Sequence, residues 1–312
     1  MIIELAPMEG LTGYINRNAL AHNFGGIDTF YTPFIPAAKK MSKKIKADLD
    51  PENNKGITLI PQIMSNRVDE VLYLGEQLKE YGYNTLNVNL GCPSGTVTSK
   101  KRGSGFLTVP DELDRFLDEL YSKADITVTL KTRIGFETDD EWPRLLEIYS
   151  KYPIPELIIH PRVRKDFYKN TPRLEAFQMA LDKIDTKITT LSYNGDIVDL
   201  DSFHRVQERF QDLDTFMIGR GLFANPGLAA AIKADSAMPF DKEDYRRRIM
   251  SFHDEVFEQY KEIMSGDRDV LFRMKEIWTY LRNNFEDSDK LWKKIRKAQN
   301  LAEYKLVVNS LR

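Results

Sequence analysis

The chain has 312 residues, 42% of them hydrophobic and 29% charged, with a net charge of −2; this is the composition of a globular protein and excludes a collagen-like or wholly disordered chain. No apolar run approaches the roughly 18 residues that span a bilayer, and Met1-Ile2-Ile3-Glu4-Leu5-Ala6-Pro7 has no basic leader, which argues against a signal peptide. One cysteine, Cys92, excludes an internal disulfide framework and a cysteine-rich metal site, and fits a reducing, cytoplasmic and metal-free setting.

Along the chain, short β-branched segments alternate with longer amphipathic ones, the rhythm of repeated βα units. Strands are predicted at Ile2–Ala6, Thr29–Thr32, Thr58–Ile63, Leu86–Leu90, Thr127–Lys131, Leu157–His160, Ile188–Tyr193 and Thr215–Ile218. Helices are predicted between them at Arg67–Tyr81, Asp111–Lys123, Trp142–Lys151 and Ser202–Phe210. Eight parallel strands point to a closed (β/α)8 TIM barrel, and no Gly-x-Gly-x-x-Gly follows the first strand to support a dinucleotide fold. Beyond Met238-Pro239-Phe240 the strands stop. Helices predicted at Tyr245–Ile263, Arg268–Asn284 and Asp289–Val308 make a small all-α domain, so the expected division is a barrel over 1–238 and a helical domain over 239–312.

Barrels of this kind place their chemistry at the C-terminal ends of the strands. Those ends read Ala6-Pro7-Met8-Glu9-Gly10, Pro61-Gln62, Asn89-Leu90-Gly91-Cys92-Pro93, Lys131-Thr132-Arg133, His160-Pro161-Arg162, Asn194-Gly195-Asp196-Ile197 and Gly219-Arg220-Gly221. A purely structural barrel has no need of a polar or glycine-rich motif at nearly every strand end. Cys92 is either a small buried hydrophobe or, on the catalytic face, a thiol that is mostly protonated at neutral pH and so able to donate a proton. Lys131, a cation at the end of an interior strand, reads as an ion-pair partner, a Schiff-base lysine or a counter-charge to an anionic ligand. Asn194-Gly195-Asp196 and Gly219-Arg220 leave strands seven and eight, where barrels commonly bind phosphate.

In order and spacing, these motifs resemble the successive signatures of the tRNA-dihydrouridine synthases, over the whole chain and including a helical C-terminal domain. The resemblance implies an FMN-dependent enzyme that reduces the C5–C6 bond of a flipped uracil in tRNA, with NADPH as reductant. Cys92 would protonate C5 while reduced flavin delivers hydride to C6. Ala6, Pro7 and Met8 would approach the flavin ring, Gln62 its pyrimidine edge, Lys131 its N1–C2=O edge and His160 its flank. Asn194, Gly195, Asp196, Gly219 and Arg220 would hold its phosphate, and Asn89 and Arg133 would face the uracil.

Four basic runs, Lys39–Lys46, Lys100–Arg102, Arg162–Lys169 and Lys290–Lys297, reconcile a net charge of −2 with RNA. The first three should ring the catalytic face, so Arg162, Lys100 and Lys101 are expected substrate contacts on a monomer docked to tRNA. Two departures from the family pattern stand out: Pro161 in place of a glycine and Gly95 in place of a lysine. The competing readings are a flavin barrel acting on a free pyrimidine, of the dihydroorotate or dihydropyrimidine dehydrogenase type, and a non-catalytic RNA-binding barrel.

Overall fold

The computed structural model describes residues 1–37 and 40–311. Among them, parallel strands run β1 (Ile2–Leu5), β2 (Thr29–Tyr31), β3 (Ile35–Pro36), β4 (Leu59–Ile60), β5 (Gln62–Met64), β6 (Thr85–Leu90), β7 (Thr127–Arg133), β8 (Glu156–His160), β9 (Thr190–Tyr193) and β10 (Thr215–Ile218). The ladder order is β3-β5-β6-β7-β8-β9-β10-β1-β2-β4. β4 and β5 are two halves of one strand, divided at Pro61, which has no N–H for the ladder. Pro61 still accepts from Asn87 N at 2.9 Å. Because β4 pairs with β2 while β5 pairs with β6, the ladder returns on itself and closes an eight-strand barrel. The third predicted strand is therefore interrupted, and β3 continues the second strand beside β5.

Of the intervening helices, Val68–Glu80, Pro110–Lys123, Trp142–Tyr149 and Leu200–Arg209 lie where the periodicity put them. The helix Tyr14–Asn23 was not legible because it buries Asn16, Arg17 and Asn23 along with Ile15 and Leu20, which blurs an apolar stripe. Arg17 is fully buried, and its Nη1 and Nη2 donate to Thr12 O at 2.6 Å, Asp48 O at 2.8 Å and Asn54 Oδ1 at 2.7 Å. Helices Lys43–Leu49 and Leu174–Lys183 also went unpredicted.

After Asp241 the chain is helical: Lys242–Ile263, Asp267–Leu281, Ser288–Lys297 and Leu301–Asn309. The single helix expected over Asp289–Val308 is two, because Asn300 caps the second. Its Oδ1 accepts from Glu303 N at 2.9 Å, which satisfies a donor of the new helix start, and Glu303 Oε2 accepts from Gln299 N just before it at 2.8 Å. Lys242–Ile263 packs along Tyr14–Asn23, and Phe24 meets the rings of Phe240, Tyr245 and Phe252 edge-on at 6.3, 6.0 and 6.3 Å.

Two cores result. The large one fills the space between barrel and helices. A small one, Ala6, Tyr31, Ile158 and Met217, sits in the lumen. The rest of the lumen is polar, and its hydrogen bonds join Glu4, Tyr31 and Ser192 on one side and Gln62, Asn87 and Thr129 on the other. No helix among the described residues is long and apolar enough to cross a membrane.

Candidate active site

The strand ends converge on a cavity of about 570 Å3 at the C-terminal mouth of the barrel, within the roughly 300–1,000 Å3 of a cofactor site. Ala6, Pro7, Met8, Asn89, Cys92, Lys131, Arg133, His160, Asn194, Gly195, Asp196, Gly219 and Arg220 all line it. A larger cavity of about 1220 Å3 lies on the flank against helix Val68–Glu80 and is lined by none of the predicted site residues.

The first motif is a stiff turn. Met8 N donates to Thr12 Oγ1 at 2.9 Å, and Leu11 N and Thr12 N donate to Met8 O at 3.2 and 3.0 Å. Ala6 N donates to Ile218 O at 2.9 Å, which fixes the turn beside Gly219. Gly10, at φ +81°, ends it: a Cβ there would lie 2.5 Å from Glu276 Oε1, so this glycine admits both the left-handed turn and the helix Asp267–Leu281 that closes over it.

Cys92 is held by its backbone. Asn89 Oδ1 accepts from Gly91 N at 3.0 Å and from Cys92 N at 2.9 Å, while Ser104 N and Oγ donate to Cys92 O at 3.1 and 2.8 Å. Burial pushes the thiol above its usual value, against the Ser94 backbone hydrogen bond and the nearby Arg133 charge. A neutral thiol on a fixed turn is suited to giving up a proton rather than attacking as a thiolate.

Asn89 belongs to a ladder that runs down into the lumen. Its Nδ2 donates to Gln62 Oε1, Gln62 Nε2 to Asn87 Oδ1 and Asn87 Nδ2 to Thr129 Oγ1, each at 2.8 Å. Gln62 is completely buried and sits behind the cavity lining, its amide committed to its two asparagine neighbours.

Lys131 Nζ donates to Asn194 Oδ1 at 2.6 Å, and Asn194 Nδ2 donates to Met217 O at 2.8 Å. Burial pushes Lys131 down to about 7; Arg133 on the same strand adds to this, and Glu4 and Cys92 oppose it. Burial also holds His160 well below the usual imidazole value, reinforced by Arg133, Lys131, Arg162 and Arg220, so the ring stays neutral. Asp196 gathers two guanidiniums: Arg162 makes a two-pronged contact whose Nη1–Oδ1 arm is 2.9 Å, and Arg220 reaches Oδ1 at 3.1 Å. Arg220 is the more exposed of the two and keeps donors for an anion at the mouth.

Three expected substrate contacts, Arg162, Lys100 and Lys101, lie outside the cavity lining. Arg133 does line the cavity, and it donates to three carbonyls, Gly91 at 2.9 Å, Val163 at 3.0 Å and Phe167 at 2.8 Å, and so holds the loops around the cavity. Arg162 is 1% exposed and lies outside the cavity lining, behind Asp196. Lys100 and Lys101 are exposed beyond the lining, and Lys101 reaches Glu112 at 3.1 Å. The run Arg162–Lys169 is not a continuous basic rim, because Arg162 is buried and Lys165 pairs with Glu137 at 3.5 Å. Lys39 lies outside the described residues, and Lys43, Lys44 and Lys46 are exposed. Pro161 accepts from Arg173 N at 2.7 Å, and Gly95 opens the helix Gly95–Thr98.

The motifs alone did not reveal the aromatic edge. Tyr168, half-exposed at the mouth, lies under the Arg220 guanidinium at 4.5 Å and that of Arg133 at 5.5 Å, with His160 at 6.3 Å. The one available signal was an aromatic inside a basic loop. Glu276, Thr279 and Tyr280 enter the cavity from the helical tail, a neighbourhood that only the fold creates.

A model of the dihydrouridine synthase family matches residues 4–310. A tRNA-dihydrouridine(16) synthase of Pseudomonas putida is 28% identical over 97% of this chain and 94% of its own length. A probable tRNA-dihydrouridine synthase of Staphylococcus epidermidis is 25% identical over 96% and 90%. Among solved structures, morphinone reductase superposes with a TM-score of 0.50 at 13% identity, over 78% of this chain and 88% of its own. TcOYE with pHBA gives 0.57 at 9%, over 81% and 95%, a likeness of fold.

Proposed function

The chain belongs to the dihydrouridine synthase family, and on that premise we infer that it is a tRNA-dihydrouridine synthase, reducing uridine in tRNA to dihydrouridine with a flavin held in the barrel mouth. The observation that carries the reading is the meeting, in one cavity, of Cys92 with Lys131, His160 and the Asp196–Arg220 pair.

The residues fit FMN. Lys131 and Asn194 form a cationic, hydrogen-bonded edge for the ring carbonyl and nitrogen, and Arg220, with the Gly195 and Gly219 backbone, forms a phosphate seat. A flavin held there and reduced by NADPH would supply the hydride for C6 of the uracil. Cys92 gives its proton to C5, its thiol kept neutral by burial and its position fixed through Asn89. Lys131, donating to Asn194, holds positive charge at the ring edge. Tyr168 offers a face on which an extruded base can stack, and extrusion itself costs a few kcal/mol. The barrel is the catalytic unit over 1–238, and the helices of 239–312 present tRNA to it. The exposed residues Lys290, Lys293, Lys294, Arg296 and Lys297 suit phosphate contact. A cytoplasmic monomer completes the reading.

The test is dihydrouridine content after incubating the purified protein with undermodified tRNA, FMN and NADPH. Dihydrouridine in tRNA is the expected product. A yellow protein that leaves tRNA unchanged and reduces a free pyrimidine would overturn the RNA assignment and favour the dihydropyrimidine dehydrogenase type.

A further inference from the structure

Beneath the site, the lumen holds a second cluster that the chemistry above does not use. Glu4 on β1, Tyr31 on β2 and Ser192 on β9 are 2%, 0% and 0% exposed, and Glu156 stands at the start of β8. Tyr31 Oη lies 2.8 Å from Glu4 Oε1 and 3.0 Å from Glu156 Oε2, and Ser192 Oγ donates to Glu4 Oε2 at 2.7 Å. β2 and β8 are not neighbours in the sheet, so these bonds close across the lumen.

Counting protons assigns the charges. A tyrosine hydroxyl has one hydrogen to donate, yet two carboxyl groups contact its oxygen. One of them must therefore carry its own proton and donate it. Glu4 already has a donor on each oxygen, Tyr31 on one and Ser192 on the other, the environment of a carboxylate. Glu156 has only the Tyr31 oxygen and the other carboxyl for company. The chain of bonds thus runs from a neutral Glu156 to Tyr31 to an ionised Glu4, which Ser192 completes.

A lone buried anion requires a partner, and the strand register brings Lys131 to it: Lys131 pairs with Ile158 and Ile158 with Ser192, which bonds Glu4, while Asn194, the amide that Lys131 touches, donates to the carbonyl of Met217, the register partner of Glu4. The other charged or titratable neighbours of Lys131 are Arg133 on its own strand, Cys92 after β6 and neutral His160 on β8. We propose that Glu4, held ionised by Tyr31 and Ser192 beside a protonated Glu156, is the buried counter-charge of Lys131 and hence the positioning residue that favours the cationic form of the site lysine. Burial raises the Glu4 carboxyl too, opposed by its hydrogen bonds to Ser192 and Tyr31 and by the Lys131 charge; burial pushes Glu156 up to about 9, and the Glu4 charge raises Lys131 against its burial.

The inference rests on the reading of Lys131 as the cation at the flavin, but its test needs no flavin. The full chain, freed of flavin, is labelled with trace acetic anhydride across a pH series, and acetylation at Lys131 is read by mass spectrometry. The wild-type midpoint should fall near 7. In Glu4→Gln it should fall by about one pH unit or more, the usual effect of losing a nearby opposite charge. In Glu156→Gln, which replaces an already neutral group, it should stay in place. An unmoved midpoint in Glu4→Gln, or an equal fall in Glu156→Gln, would overturn the assignment. Infrared spectra of the wild type supply a check that does not depend on Glu4→Gln folding. They should show a buried neutral carboxyl band that Glu156→Gln removes, and its absence would also sink the proposal. A Lys131 that titrates as expected in a protein unable to modify tRNA would instead fault the functional reading.

Discussion

The lumen and the mouth of this barrel are built from similar polar residues, and they differ in where those residues point. In the lumen, Glu4, Tyr31, Ser192, Gln62, Asn87 and Thr129 hydrogen-bond one another. At the mouth, the Cys92 thiol, the Arg220 guanidinium and the Tyr168 ring face a cavity of about 570 Å3. Polar groups closed on each other contribute rigidity, whereas groups facing an open cavity are placed to meet a ligand. Substitution should separate the two: a change at the mouth should cost rate, and a change in the lumen should cost stability.

The largest effect should come from Cys92→Ala, with dihydrouridine formation on undermodified tRNA falling about 10²–10⁴-fold, the usual contribution of a positioned acid. Its thermal midpoint should barely move, because the turn is held by backbone bonds to Asn89 and Ser104. Proton donation fails when the thiol ionises, and burial raises that pKa. The wild-type rate should therefore hold at alkaline pH beyond the ordinary thiol value before it declines. A variant that lost stability and kept its rate would erase the distinction between mouth and lumen.

Gln62→Leu tests the other side. It leaves Asn87 Oδ1 without its donor and Asn89 Nδ2 without its acceptor, and each orphaned buried group costs about 1–3 kcal/mol. Denaturant unfolding should show that loss. If Asn89 then lets the Cys92 turn drift, the rate will fall as well, and the size of that fall measures how far the lumen supports the mouth.

How much of this was legible in the sequence follows the same division. β10 was placed to the residue, and most motifs at the ends of strands could be assigned to the mouth, because a parallel barrel strand is a short apolar run with its chemistry just beyond it. The lumen was not legible. Glu4, Tyr31, Glu156 and Ser192 come from four strands, and nothing local marks them as partners. Gln62 was read as a residue of the site because it follows Pro61 at a strand end; closure of the barrel turns its amide inward. Arg162 read as part of a basic rim, but its guanidinium is buried against Asp196. In the tail, Asn300 was a helix cap hidden inside an otherwise continuous periodic run.

A smaller effect isolates the lumen's stored proton. Burial holds Glu156 near 9 in the folded chain, against 4.5 for the unperturbed group. Between those values the folded state binds the extra proton, so this group's contribution to stability is complete below about pH 4.5 and is lost as pH rises towards 9. Lys131 acts with the opposite sign over its own window, from about 7 up to 10.5, where the folded state binds fewer protons and stability rises with pH. The wild-type curve mixes the two, so the useful quantity is wild type minus Glu156→Gln. That difference should decline steadily from about pH 4.5 to 9. A flat difference would mean that Glu156 is ionised in the folded protein.

The smallest effect concerns the rim. Lys100 and Lys101 are exposed, and Lys101 faces Glu112 at 3.1 Å; exposed pairs of this kind contribute about 0–1 kcal/mol. The double variant Lys100→Gln/Lys101→Gln should therefore unfold like the wild type and, on saturating tRNA, turn over at a similar rate. Any role these lysines have is in phosphate contact, which is read in the salt dependence of binding. Two lost contacts should make the slope of log K against log salt shallower by about one to two. An unchanged slope would take both lysines out of the RNA face and leave that surface to the helical tail, where Lys293, Lys294 and Lys297 are exposed on a single helix.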